Sequence, residues 1–142
     1  MEITELSPSQ KNKLESFKSH VWPLADQEHY GENQPKFFKE EFTLIATENS
    51  DIVGYVSISI DTGVAQLEPL MVKPDLKGNS IGTNLLKAAE EKAKTLGAHK
   101  ILLETGSDWL AKKFYEKHGY QVRSILPNHT GRREFVLMDK ML

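Results

Sequence analysis

Val72-Lys73-Pro74-Asp75-Leu76-Lys77-Gly78-Asn79-Ser80-Ile81-Gly82-Thr83-Asn84-Leu85-Leu86 is the stretch that decides how this chain folds. A β-compatible run ends at Val72, a proline and two glycines punctuate a small-residue loop, and a helical pattern opens at Ile81. A loop that feeds a strand directly into a helix leaves first-turn N–H groups unpaired at the positive end of the helix dipole. Phosphate is the natural ligand of such a place. Two nucleotide motifs are excluded: no Lys-Ser/Thr pair closes a P-loop, and the glycines are not spaced G-x-G-x-x-G. Taken alone, glycines four residues apart also suit a tight turn and a close packing contact.

Outward from this loop the pattern is regular. The helix carries Ile81, Leu85, Leu86, Ala89, Ala93 and Leu96 on one side and Lys87, Glu90, Glu91 and Lys94 on the other, and Gly97 stops it. Ile101 to Thr105 reads as a buried strand parallel to the one before the helix. A second helix, about Asp108 to His118, sets Leu110 with Phe114 and Ala111 with Tyr115 and ends at Gly119. Two last strands, Tyr120 to Ile125 and Glu134 to Met141, flank a turn region from Pro127 to Gly131.

Upstream, Val64 to Val72 is a strand in which Pro69 removes a ladder donor, so a bulge or splay is expected near Glu68 and Pro69. Phe42 to Thr47 and Ile52 to Ile60 form a hairpin, with Ile52, Gly54, Val56, Ile58 and Ile60 on one face. Ser7-Pro8-Ser9-Gln10 offers an N-cap, a proline in the first turn and a capping-box glutamine, so a helix is expected from there to about His20. Pro23, Gly31 and Pro35 then leave either an irregular segment or a short helix around Asp26 to Tyr30, and Glu2 to Leu6 is a candidate edge strand. The order is strand, helix, three strands, helix, strand, helix, two strands. That is an α+β fold with one βαβ crossover, expected as a single domain over residues 1–142.

Composition narrows the function. Eighteen Lys and Arg against 20 Asp and Glu give a formal charge of −2, which lacks the basic footprint of nucleic-acid binding. No apolar run approaches the ~20 residues that cross a bilayer, and the N-terminus has no signal-peptide core, so a cytoplasmic protein is expected. The chain has no cysteine, which excludes disulfides and thiolate nucleophiles or ligands. The five histidines, at 20, 29, 99, 118 and 129, are not spaced as a helical ligand pair, and no metal is expected. Trp22 and Trp109 read as core or rim packing.

Lys77-Gly78-Asn79-Ser80-Ile81-Gly82, preceded by Val72-Lys73-Pro74 and followed by Leu85-Leu86, resembles the acyl-CoA loop Q/R-x-x-G-x-G/A of the GNAT superfamily of N-acetyltransferases. Lys77 stands where that family has Gln or Arg, and Ser80 where it has the middle glycine. Ala111-Lys112-Lys113-Phe114-Tyr115-Glu116-Lys117-His118-Gly119-Tyr120 is similar to the family element A-x-x-(F/L)-Y-E-K-x-G-(F/Y), with Asp108 where the family often has an asparagine on the pantetheine arm. The ending Phe135 to Leu142 looks like the family's last strand, so the resemblance runs from about Phe42 to the end.

The resemblance implies a GNAT-like, mostly antiparallel sheet with flanking helices, and acetyl transfer from acetyl-CoA to a primary amine by direct attack. The acceptor is then a small molecule or a peptide, and a homodimer is left open. Lys77, Gly78, Asn79, Ser80, Ile81, Gly82 and Thr83 hold the pyrophosphate in this reading, with Asp108 and Phe114 beside the pantetheine arm. The amides of Leu70, Met71 and Val72 hold the acetyl oxygen and the pantetheine. Tyr115 is the acid toward the leaving sulfur; Glu68 is the base, directly or through water, with Glu104 its competitor. Without the family, Tyr115 reads as a packed core ring and Glu68 as a solvent-facing strand residue. Asp26, Glu28 and Glu32, with Trp22, His29 and Tyr30, form either an acidic aromatic rim suited to a cationic amine or a solvated loop. Two alternatives stay open: a non-catalytic acyl-CoA-binding module on the same fold, and a phosphate binder unrelated to CoA.

Overall fold

The computed structural model describes all residues, 1–142, as two units, Met1–Lys36 and Phe37–Leu142. In the first unit Ser7 and Gln10 form the expected capping box, the Ser7 backbone N–H donating to Gln10 Oε1 at 3.0 Å. Helix α1, Lys11–Tyr30, follows it. The expected stop near His20 is wrong. Pro23 lies inside the helix, where it removes one N–H, the donor that would face the Ser19 carbonyl. Good helix formers from Leu24 to Glu28 resume the ladder, and the Gly31 N–H closes it on the Gln27 carbonyl at 3.0 Å. Glu2 to Leu6 is not a strand: no other strand pairs with it, and without a ladder a five-residue alternation has nothing to hold it extended.

The second unit is a six-stranded sheet in the order β1-β2-β3-β4-β6-β5. Its strands are β1 (Lys39–Glu48), β2 (Asp51–Asp61), β3 (Val64–Val72), β4 (Lys100–Gly106), β5 (Gln121–Leu126) and β6 (Phe135–Met141). Only β3 and β4 are parallel, and helix α2, Ile81–Thr95, is the crossover between them. Two-residue turns of positive φ, Asn49-Ser50 and Thr62-Gly63, join β1 to β2 and β2 to β3, the backbone that matches strand twist in tight hairpins.

The face of α2 falls where its periodicity puts it: Leu85, Leu86, Ala89 and Ala93 are buried against Val56, Ile58, Ile60, Ala65, Ile101 and Leu103. Gly54 permits this approach. A Cβ there would lie 2.9 Å from the Met71 carbonyl and 3.0 Å from Leu85, so any side chain would push the start of α2 off the sheet. Ile52 is an exception to the expected face and is exposed. A bulge places Val53 between the pairs Ala46↔Gly54 and Thr47↔Ile52, and Val53 is buried in its stead. Glu90, expected on the solvent side, is half-buried, because the Tyr120 hydroxyl and Lys140 ammonium both donate to it, at 3.0 and 2.8 Å.

Helix α3 is Leu110–Lys117, with Asp108 in the preceding turn. Leu110 is 83% exposed and does not join Phe114 in packing: the helix opens at Leu110, two residues later than expected, and this first helical residue faces solvent. Asp139 is buried in the middle of β6, bonded to the Lys100 ammonium at 3.0 Å and to Arg123 Nε, so it ties β4, β5 and β6 together. Burial alone would raise its pKa, but hydrogen bonds from Arg123 and Lys100, and their charges, outweigh that and hold it below the usual carboxylate range. The stability this contributes is therefore present above the ordinary carboxylate pKa of ~3.9 and is lost as pH falls through the lowered folded value. Asp139→Ala is expected to cost about 2–3 kcal/mol at neutral pH, the worth of hydrogen bonds to a charged group whose cationic partners can turn back to solvent, and to flatten the acid limb of the unfolding curve, measured by urea titration across pH.

Candidate functional site

The parallel pairing of β3 and β4 lasts only three residues, Val64↔Lys100, Ala65↔Ile101 and Gln66↔Leu102. Beyond that, β3 continues to Val72 and β4 to Gly106 without bonding each other, so a gap opens between them. The expected bulge is what turns β3 away: Val56 pairs with Leu70 and Ile58 with Leu67, so Glu68 and Pro69 together face Ser57. The Lys73 N–H donates to the Val53 carbonyl at 2.8 Å, and the Met71 carbonyl points at Gly54. Alternation along the strand then directs the polar backbone groups of Leu70 and Val72 into the gap, while those of Met71 belong to the β2 ladder.

At the end of β3 a single 3-10 turn, Pro74–Leu76, leads into the loop. Gly78 has φ +89°, with open space around it, and Ser80 caps α2 in the left-handed region at φ +62°, ψ +5°. Serine there carries the steric cost that a glycine avoids. The first helical bond is Asn84 N–H to the Ser80 carbonyl at 2.9 Å, so the amides of Ile81, Gly82 and Thr83 have no helical partner and face outward. The amides of Gly78 and Ser80 likewise have no backbone partner, and the Lys77 side chain is exposed beside them. A Cβ on Gly82 would lie 3.7 Å from each of Leu70, Val72 and Phe114, so β3, α2 and α3 converge at this point.

Tyr115 is only 6% exposed and lies on the α2 side of the sheet, edge-on to Phe114 at 5.2 Å and to Tyr120 at 5.4 Å between ring centroids. Burial pushes its phenol up to about 12, so it keeps its proton throughout the physiological range. Glu68 is exposed on the opposite face. There it lines a depression of about 470 Å³ with Glu41, Phe42, Thr43, Ser57, Ile58 and Ser59, whose floor is fixed by a 2.8 Å hydrogen bond between Thr43 and Ser57. The two chemically interesting groups therefore approach the sheet from opposite sides. Glu104, beyond the last β3–β4 pair, is held by His129 Nε2 at 2.8 Å, and the His129 ring lies 5.4 Å from Phe135. No His, Cys, Asp or Glu side chains group in a way that would hold a metal ion, and no helix is long and apolar enough to cross a membrane.

The profile of the "Acetyltransferase (GNAT) family" matches residues 8–120. The chain belongs to the GNAT acetyltransferase family. It is 29% identical over 114 residues to an "IAA acetyltransferase" of Azospirillum brasilense, covering 78% of this chain and 74% of that protein. Other curated relatives are matched over 50–58% of their length. Among solved structures, an acetyltransferase from Bacillus cereus superposes with a TM-score of 0.78 at 24% identity, over 100% of this chain and 98% of that one. An aminoglycoside 6'-N-acetyltransferase complexed with coenzyme A superposes at 0.64 with 23% identity, over 99% and 97% of the two chains. These likenesses fix a GNAT fold, and acetyl transfer is the chemistry of the family.

Within the GNAT frame the expected residues divide into those brought together and those left apart. Leu70, Val72, Ile81, Gly82, Thr83 and Phe114 meet around the end of β3 and the start of α2. Lys77, Gly78 and Asn79 form the exposed loop beside them, while Asp108 is exposed in the turn before α3. Two contacts escaped the sequence reading. His118 Nε2 meets the Thr83 hydroxyl at 3.2 Å while its Nδ1 lies 2.7 Å from the Phe114 carbonyl, and His129 bonds Glu104. Thr83 and His118 are 35 residues apart and Glu104 and His129 are 25 apart, so no periodicity links them.

Proposed function

We propose that this GNAT protein moves the acetyl group of acetyl-CoA to a primary amine by direct attack, the thioester lying in the gap between β3 and β4. The observation that carries the reading is the gap itself: amides of Leu70 and Val72 with no strand to pair with, ending beside the unpaired amides of the α2 first turn. Pyrophosphate would be held by the amides of Gly78 and of Ser80 to Thr83 with Lys77 as a point charge, and the pantetheine arm would run past Phe114 and Asp108. The Leu70 or Val72 N–H then meets the acetyl oxygen as it gains charge.

The amine arrives protonated and must lose a proton before it attacks. Glu68 takes that proton, directly or through a water, in a depression whose other carboxylate, Glu41, and hydroxyls suit an ammonium group. The nitrogen bonds to the carbonyl carbon, the C–S bond breaks, the second proton of the nitrogen passes to solvent, and the sulfur leaves as a thiolate toward Tyr115. With the phenol near 12 and a thiol near ~8.5, complete proton transfer is uphill by about 5 kcal/mol, so Tyr115 shares its hydrogen with the developing thiolate and stabilises it as it forms.

The direct test follows thiol release from acetyl-CoA with a panel of spermidine, tyramine, an aminoglycoside and an alanyl peptide. Amine-dependent release supports transfer. Tight CoA binding with no release for any amine would instead establish a non-catalytic acyl-CoA-binding module.

A further inference from the structure

We infer that His118 is a positioning residue for the diphosphate site, acting through the Thr83 hydroxyl and making coenzyme binding proton-linked. The inference rests on the proposed CoA site. His118 Nδ1 lies 2.7 Å from the Phe114 carbonyl, which can only accept, so Nδ1 carries a hydrogen. In the neutral ring Nε2 is then an acceptor, and its partner at 3.2 Å, the Thr83 hydroxyl, must donate to it. Thr83 is the third residue of α2, within the first turn, and its hydroxyl has one hydrogen. Spent on His118, that hydrogen leaves only oxygen lone pairs to face an incoming phosphate, which also offers only acceptors.

Protonation reverses the contact. An imidazolium donates from both nitrogens, so Nε2–H turns toward the Thr83 oxygen and the hydroxyl hydrogen is released to point at the phosphate. A positive charge also appears one side chain away from the helix N-terminus, adding to its dipole. The carboxylates nearby are engaged elsewhere. On α3, His118 follows Lys117 and Glu116, and Glu116 is paired with Lys112 at 2.8 Å. On α2 the next turn carries Lys87, while Glu90 further on is occupied by Tyr120 and by Lys140 of β6. The imidazole itself lies tilted on the Phe114 ring, 4.5 Å between centroids, with no carboxylate bonded to it. Phosphate arriving at the loop is therefore the anion available to stabilise the charged ring.

The test is calorimetric titration of coenzyme A into wild type and His118→Gln at about pH 8 and about pH 6. Glutamine accepts from Thr83 and donates to the Phe114 carbonyl as the neutral ring does, but it cannot take up a proton. The two proteins are expected to bind equally at the higher pH, and wild type about three- to tenfold more tightly at the lower, the scale of one charge-assisted hydrogen bond at a half-exposed place. Comparing proteins at one pH cancels the titration of the ligand's own phosphate. Should the variant fold poorly, the His118 ring-proton chemical shift in wild type, followed across pH with and without coenzyme A, reads the protonation of that ring alone. Equal affinities at both pH values, or a His118 titration that coenzyme A does not move, would overturn the role of His118 while leaving the CoA site intact. No coenzyme A binding by wild type at either pH would remove the site and this inference together.

Discussion

Tyr115→Phe should lower amine-dependent thiol release from acetyl-CoA by about a hundredfold or more, the usual worth of a positioned hydrogen-bond donor to developing charge, while coenzyme A affinity changes by less than about threefold. The two effects separate because the ring and the hydroxyl do different work. The ring packs edge-on against Phe114 and Tyr120 in the core, and phenylalanine keeps that packing. Only the hydroxyl hydrogen, which the proposed mechanism directs at the leaving sulfur, is lost. Steady-state kinetics with a fixed amine, beside calorimetric titration of coenzyme A, reads both quantities. Turnover within twofold of wild type would remove Tyr115 from the mechanism, and an equal loss of affinity and turnover would make it a packing residue.

Ser80 carries the second large effect. Its backbone is left-handed at φ +62°, where a β-branched side chain meets the following carbonyl. Ser80→Val is expected to weaken coenzyme A binding by about tenfold or more, because the loop must rotate and its amides no longer converge. Ser80→Gly should move the other way, raising thermal stability by about 0.5–1 kcal/mol without weakening the coenzyme. Calorimetry and thermal melts on the pair check both signs. Equal affinity in the valine variant would mean that this backbone conformation is not part of the anion site.

The βαβ core was legible because each of its segments repeats itself. Leu85, Leu86, Ala89 and Ala93 return at helical spacing and are buried as that spacing demands, and Pro69 announces the bulge that opens the gap. What stayed hidden depends on partners remote in sequence. Glu90 reads as a solvent-facing charge until Tyr120 and Lys140 close on it from 30 and 50 residues away. Val53 replaces Ile52 in the core through a bulge that no alternation rule foresees. Pro23 shows the opposite limit, a strong local stop overridden by the helix formers that follow it. In the candidate site, the loop into α2 and the bulge at Glu68 and Pro69 were readable from composition and spacing, whereas the roles of Phe114, Tyr115 and Glu68 entered only through the family resemblance. The division of the three β3 amides, with Leu70 and Val72 facing the gap and Met71 the neighbouring strand, needed the register.

All of these assignments depend on the loop after β3 receiving a diphosphate. Amide chemical shifts recorded while coenzyme A is titrated into isotopically labelled protein address this directly. The changes should centre on Gly78 to Thr83 and spread to Leu70 and Val72, and pantetheine lacking the diphosphate should leave the loop amides unmoved. Shifts confined to another part of the chain, or none at saturating coenzyme, would mean that the gap between β3 and β4 is not where this protein holds its substrate.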